Sequence, residues 1–191
     1  MAGSRILRLL RPDDGSAILE FAITLPLLVV FVVGIYDFSA AFNQKQKIEQ
    51  AAQEGAIIAG AQPTSDISST AAPASMLPVV SAIFNSLAGS GALPNANSGT
   101  CNAPGTATGT GLASNYSISG CSGGFPGDNL VITINRGWVS GSGSPAAIGT
   151  IVTIVYPYHW QFNSVIQLMI PGANYAAITQ LTESATVHNQ M

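Results

Sequence analysis

The stretch that most limits what this chain can become is Gly15-Ser-Ala-Ile-Leu-Glu-Phe-Ala-Ile-Thr-Leu-Pro-Leu-Leu-Val-Val-Phe-Val-Val-Gly-Ile-Tyr-Asp-Phe38. No charged residue lies between Phe21 and Tyr36, and almost every position from Ala17 to Phe42 is uncharged or apolar. About 26 residues at about 1.5 Å per residue cover the ~30 Å hydrocarbon core of a bilayer with room for tilt. In lipid such a segment must be helical, because each backbone N–H and C=O needs an internal partner. The competing reading is a buried helix of a soluble domain, a class that is usually shorter.

The flanks orient the span. Arg5, Arg8 and Arg11 precede it, and Lys45 and Lys47 follow. The excess of basic residues on the first flank places the N-terminus in the cytoplasm and the rest of the chain beyond the membrane. Two acids interrupt the pattern. Asp37 stands near the far interface and is expected to need no special partner. Glu20 stands one turn into the helix, where an ionised carboxylate in lipid would cost about 2.5–3.5 kcal/mol. Either it is solvated at the cytoplasmic surface or it pairs with a cation, such as the free amine of a neighbouring subunit. A removable signal peptide is a further alternative, with a small-residue site at Ser39-Ala40-Ala41. Against it, the apolar run exceeds the usual ~7–15 residues, and a helical pattern continues from Lys45 to Gly60.

In that continuation Phe38, Phe42, Ile48, Ala52 and Ala59 recur at helical spacing, while Asn43, Gln44, Lys47, Gln50 and Gln53 mark a wetter face. Ala51, Ala52, Gly55, Ala56, Ala59 and Gly60 are small enough for close packing against a sheet or another helix. The simpler reading is a core-facing stripe rather than an oligomer seam. Gln62-Pro63 stops the helix. Thr64 to Pro73 reads as a polar linker. Ser75 to Leu87 reads as a short helix capped by Ser75, with Met76, Val79, Val80, Ile83 and Leu87 on one side. Gly89 to Gly127 reads as a long loop with at most a short strand at Tyr116–Ile118.

Strand signals follow. Leu130, Ile132 and Ile134 alternate with polar or smaller residues, Gly141 to Pro145 is a turn, and Ile148 to Tyr156 is strongly β-branched. Pro157 ends that strand or marks an edge. Phe162 to Ile170 is apolar enough for a helix or an interfacial loop, and Tyr175 to Val187 reads as the last strand.

Cys101 and Cys121 are the two cysteines. An even count in an exported protein reads as a disulfide, with a pair of free thiols as the alternative. The bridge would close a loop of about 21 residues and stabilise by roughly 3 kcal/mol on the chain-entropy account. Only 8% of residues are charged and the net charge is −3, which gives no basic footprint for nucleic acid.

Catalytic groups are scarce. Gly120-Cys-Ser122-Gly-Gly124 matches G-x-S-x-G, but Phe-Pro-Gly-Asp follows it where a nucleophile elbow needs a helix. His159 and His188 are the only histidines, and Asp66, Asp128 and Glu183 are the acids of the C-terminal part, a poor supply for a triad or a metal. There is no phosphate-binding loop. No enzyme activity, cofactor, metal or small-molecule substrate is expected.

Gly15-Ser16-Ala-Ile-Leu-Glu20-Phe21 resembles a prepilin-peptidase site, with Gly before the cut and Glu at the fifth mature position. With Gly34-Ile-Tyr-Asp-Phe38 and Gln50-Ala-Ala-Gln-Glu-Gly-Ala56, the pattern looks like the TadE-like family, over about the first 60 residues. The strand ending Tyr156-Pro157-Tyr158 and the Thr-rich C-terminal strand are also similar to that family. The terminal Val-His-Asn-Gln-Met departs from the charged tail that the family often carries.

The resemblance implies a minor pilin or pseudopilin of a tight-adherence (Flp-type) pilus in the bacterial inner membrane. Prepilin peptidase, other pilins and platform proteins would be its partners, beside the lipid bilayer; cleavage would fall between Gly15 and Ser16. An uncleaved membrane adaptor, or an exported hydrolase released near Ala41, would share much of this pattern. The expected fold is α+β: a basic leader (1–15), a transmembrane helix (16–42), its extension (43–62) and a pilin-like domain with a small antiparallel sheet (63–191).

Overall fold

The computed structural model describes residues 12–97, 99–121, 128–140, 147–160, 167, 172 and 180–189. In chain order it contains helix α1 (Pro12–Gly60), a 3-10 turn (Ala74–Met76), helix α2 (Leu77–Gly89) and five strands. The strands are β1 (Thr106–Gly109), β2 (Ala113–Ser119), β3 (Asn129–Ser140), β4 (Ala147–Pro157) and β5 (Gln180–His188). The protein is α+β, as expected. Its chain divides into two units, Met1–Ala40 with Trp160–Ala176, and Ala41–His159 with Ala177–Met191.

The first unit holds the apolar half of α1. Large side chains from Ile18 to Phe38 are mostly exposed, Ile18, Phe21, Phe31 and Ile35 among them, while Val30, Val33 and Gly34 on one face are partly covered. A helix apolar on every side has no face to offer water, which is the pattern of a segment surrounded by lipid. Pro26 lies inside it and deprives the turn before it of one backbone donor. Two residues earlier the Thr24 hydroxyl donates to the Glu20 carbonyl, with the Phe21 carbonyl also within 3.5 Å.

The second unit is a five-stranded antiparallel meander in the order β1-β2-β3-β4-β5. Tyr116, Ile118, Leu130, Ile132, Ile134, Val152 and Ile154 point inward and are buried, as period-2 alternation requires when one face meets a core. Met76, Val79, Val80, Ile83 and Leu87 are buried from the side of α2, as their spacing predicts, and Phe84 joins them. From α1 come Ile48, Ala51, Ala52, Ala56 and Ala59. The small residues are needed for close approach. A Cβ on Gly55 would stand 2.4 Å from Ile83 Cγ1 and 3.6 Å from Val152 Cγ1. The outer face of the sheet is uncharged, with Asn115, Thr133, Thr153 and Ser184 in register across four strands.

Several expectations need correction. The stretch read as a long loop with a short strand at Tyr116–Ile118 holds that strand within β2, but as part of a hairpin β1–β2 whose strands pair from Thr106–Ser117 to Gly109–Ser114. Its sequences, Thr-Ala-Thr-Gly and Ala-Ser-Asn-Tyr-Ser-Ile-Ser, have little β-branched content, so propensity alone gives a weak signal. Pairing with β3 and the Cys101–Cys121 disulfide hold it in place. Ser75 does not cap α2. The N-cap is Met76, with no side-chain bond, because the Ser75 hydroxyl donates to Asp66 instead. Phe38 and Phe42 are 57% and 63% exposed, off the packed stripe. Pro157 ends β4, but β4 pairs on both sides and is no edge. The last strand is seen from Gln180; residues 175–179, the 141–145 turn, Ser122 and, apart from Gln167, the 162–170 stretch lie outside the described residues.

Candidate functional site

Three places carry chemistry or recognition. The first is the head of α1. Gly15 lies within the helix, with open space where a Cβ would be. Ser16, Glu20 and Phe21 are all exposed. Ser16 and Glu20 are four residues apart, so they share one helix face. The window of greatest hydropathy in Gly15–Gly60 has a mean hydropathy of 2.6, and none of it is buried. A soluble core helix would bury this surface. By length and composition this helix can cross a membrane.

The second place is where the apolar run ends. Asp37 is 1% exposed and has an interaction partner, which corrects the expectation that it needs none. The Phe38 and Trp160 rings meet edge-on, with centroids 5.3 Å apart. Val30, Phe31, Gly34, Ile35 and Phe38 line an open apolar hollow of about 420 Å³.

The third place is a polar centre of the second unit that the sequence reading missed. Arg136 is 2% exposed. Its Nη1 donates to Asp66 Oδ1 at 2.7 Å, and its Nη2 donates to the Pro63 carbonyl. The position follows from the strand. Arg136 has the inward parity of Leu130, Ile132 and Ile134, and the register of β3 against β4 slips just there, between Asn135 and Trp138. At that bulge the Arg136 amide bonds Leu112 O at 2.8 Å rather than β4, and Gly137 N bonds Asn135 Oδ1 at 2.9 Å.

The supposed linker after α1 is thereby pinned to the sheet, helped by Gly111 N on Ser69 O at 2.8 Å. The Arg136 guanidinium, and then the Ser75 hydroxyl, hold the Asp66 carboxyl below its ordinary value of 3.8. Two sequence signals point here: strand parity, and the fact that Arg136 is the only Lys or Arg after Lys47.

Elsewhere Lys45 Nζ reaches Glu183 Oε1 at 3.1 Å, and Gln44 Nε2 donates to Ala92 O at 2.8 Å. These tie the Gln44–Lys45 turn of α1 to β5 and to the chain after α2. His159 pairs with Asp128. Burial raises the phenols of Tyr116 and Tyr156. No cluster of three or more metal-ligating side chains occurs among the described residues. Cys101 and Cys121 are joined and buried.

Fold and site together define an α+β protein whose one long apolar helix is built for a bilayer and whose polar centre is structural. Comparison with known families agrees with the resemblance already drawn: the family model described as TadE-like protein matches residues 15–56. The match opens at Gly15 and closes at Ala56, inside the small-residue stripe. No curated protein and no solved structure matches the chain.

Proposed function

We propose that the chain is a minor pilin or pseudopilin-like structural component of a tight-adherence pilus. The observation that carries this is the family-matched segment 15–56, with Gly15-Ser16 and Glu20-Phe21 at the head of an exposed apolar helix. In this reading the precursor crosses the bacterial inner membrane once. Its leader (1–15) is cytoplasmic, residues 16–42 span, residues 43–62 continue the helix outside, and residues 63–191 form the outer domain.

Prepilin peptidase cuts after Gly15. Because Gly15 belongs to the first turn of α1, the cut requires that turn to open. Gly eases the opening, being about 1 kcal/mol less helix-stable than Ala. The new amine of Ser16 then lies on the same face as Glu20. The carboxylate offsets that amine, its own or a neighbour's, so that a charge otherwise costly in lipid sets the register between subunits. Other pilins and the assembly platform are the partners.

The test is the N-terminal sequence of the protein isolated from its native membrane. A start at Ser16 supports the proposal. A start at Met1 or Ala2 replaces it with an uncleaved adaptor, and a start near Asn43 removes the anchor altogether. Glu20→Gln and Glu20→Ala are expected to be cleaved yet fail to assemble; normal assembly of both refutes the role given to Glu20.

A further inference from the structure

Trp160 opens the connection from β4 to β5, and its ring meets Phe38. The level of Phe38 in a membrane can be worked out. Glu20 and Asp37 bracket the apolar run, and the 17 residue steps between them rise about 26 Å, close to the ~30 Å hydrocarbon thickness. With Glu20 at one boundary of the hydrocarbon core, inside the 16–42 span that also takes in the headgroup zones, Asp37 and Phe38 stand at the other. Trp160, with its ring centroid 5.3 Å from that of Phe38, is therefore held at headgroup depth.

Tryptophan suits that depth, since it joins an apolar body to one polar N–H edge. Tyr36 on α1, 71% exposed, adds a second amphipathic ring at the same level. The charge pattern changes at the same point. His159 pairs with Asp128 immediately before Trp160, whereas from Trp160 to Thr182 the sequence has no charged residue and includes Phe162, Ile166, Leu168 and Met169.

We propose that Trp160, seated on Phe38, is a second membrane contact of this protein: an interfacial anchor that binds the headgroup zone of the phospholipid bilayer on the far side of the span. The proposal rests on the reading of α1 as a membrane span. It gives the span a fixed side and depth in the bilayer before any subunit is met, which lowers the orientational cost of later docking.

The experiment uses the full chain in phosphatidylcholine–phosphatidylglycerol vesicles. Trp138→Phe leaves Trp160 as the only tryptophan, and circular dichroism checks that the variant is folded. Quenching is compared between lipids nitroxide-labelled near the headgroup and near the chain end. A control chain carries Trp138→Phe, Trp160→Phe and Leu28→Trp, which places the probe at the middle of the span.

The expected result is that the shallow label quenches Trp160 about twofold or more over the deep one, while the deep label quenches the Leu28→Trp probe. If Trp160 is quenched by neither label, or more by the deep one, while the control responds, the proposal is overturned with the span intact. If the control is also unquenched, the span itself is wrong and both readings fall together.

Discussion

Removing Asp66 should harm the outer domain more than removing the arginine it binds. Arg136 is 2% exposed whereas the Asp66 side chain is 28% exposed, so the two ends of the pair have unequal access to water. Asp66→Ala leaves a buried guanidinium with only the Pro63 carbonyl. Breaking a buried pair in this way costs about 3–5 kcal/mol, and partial entry of water puts the value near the lower end. Arg136→Met instead places an apolar chain on an inward strand position. It leaves a carboxylate that water and Ser75 still satisfy, with a loss of about 1–2 kcal/mol from the Pro63 bond and imperfect packing. The double variant should therefore be more stable than Asp66→Ala alone, by about 1 kcal/mol or more.

The assay is urea unfolding of the full chain in mild detergent. Trp160→Phe is the background, so that Trp138, two residues from Arg136, reports alone. Acid adds a second reading of the same pair. The folded pKa of Asp66 is depressed below 3.8, so its contribution is complete above that value and is lost as pH falls through the folded value. The gap between the parent and Asp66→Ala should be constant from neutrality to about pH 5 and close in stronger acid. A double variant no more stable than Asp66→Ala, or a gap that is unchanged at pH 2–3, would refute the reasoning.

Three further outcomes are expected. Replacing Cys101 and Cys121 together by Ser should lower stability by roughly 3 kcal/mol, and hydrogen exchange should show the β1–β2 hairpin losing protection before β3 and β4 do. Gly55→Val should cost about 1–3 kcal/mol through the clash with Ile83, with partial recovery when Ile83→Ala is added; a Gly55→Val chain as stable as the parent in the same urea assay would contradict the close approach of α1. Lys45→Ala should change stability by only about 0.2–1 kcal/mol, an effect that vanishes at high salt, because Lys45 is 50% exposed.

The helices were readable because their burial problems are written as periodicity. The α1 span shows as an unbroken apolar run, and the buried face of α2 as Met76, Val79, Val80, Ile83 and Leu87. β3 and β4 were readable for the same reason, through alternation and β-branching. Of the β1–β2 hairpin only Tyr116–Ile118 was. Its stability comes from pairing to β3 and from the Cys101–Cys121 bridge, which are tertiary facts that local propensity does not encode. Ser75 misled because a hydroxyl before a helix is ordinarily a cap, and only the position of Asp66, nine residues earlier, decides otherwise. Phe38 and Phe42 misled because spacing counts apolar residues without saying whether lipid, water or protein meets them. At the head of α1, Gly15, Ser16, Glu20 and Phe21 are legible only as a pattern.

The composition of α1 changes along its length. From Ile18 to Phe38 most side chains are large, apolar and exposed, apart from the partly covered row Val30, Val33 and Gly34 and the buried Asp37. Lipid tails are as apolar as leucine, so bulk there does not by itself drive one helix onto another. From Ala51 to Gly60 the inward residues are Ala and Gly, which gain little from burial themselves but let the helix backbone approach Ile83 and Val152 closely enough for those larger side chains to fill the core. If the first stretch lies in a membrane, Glu20, Thr24 and Gly34 are the few polar or small features it offers to a neighbouring helix, while the second stretch draws its stability from the sheet. The matched family segment, 15–56, covers the span and ends within the Ala/Gly stripe. That boundary follows if what is held in common is a membrane helix with its assembly head, while the sheet that the helix carries is free to differ.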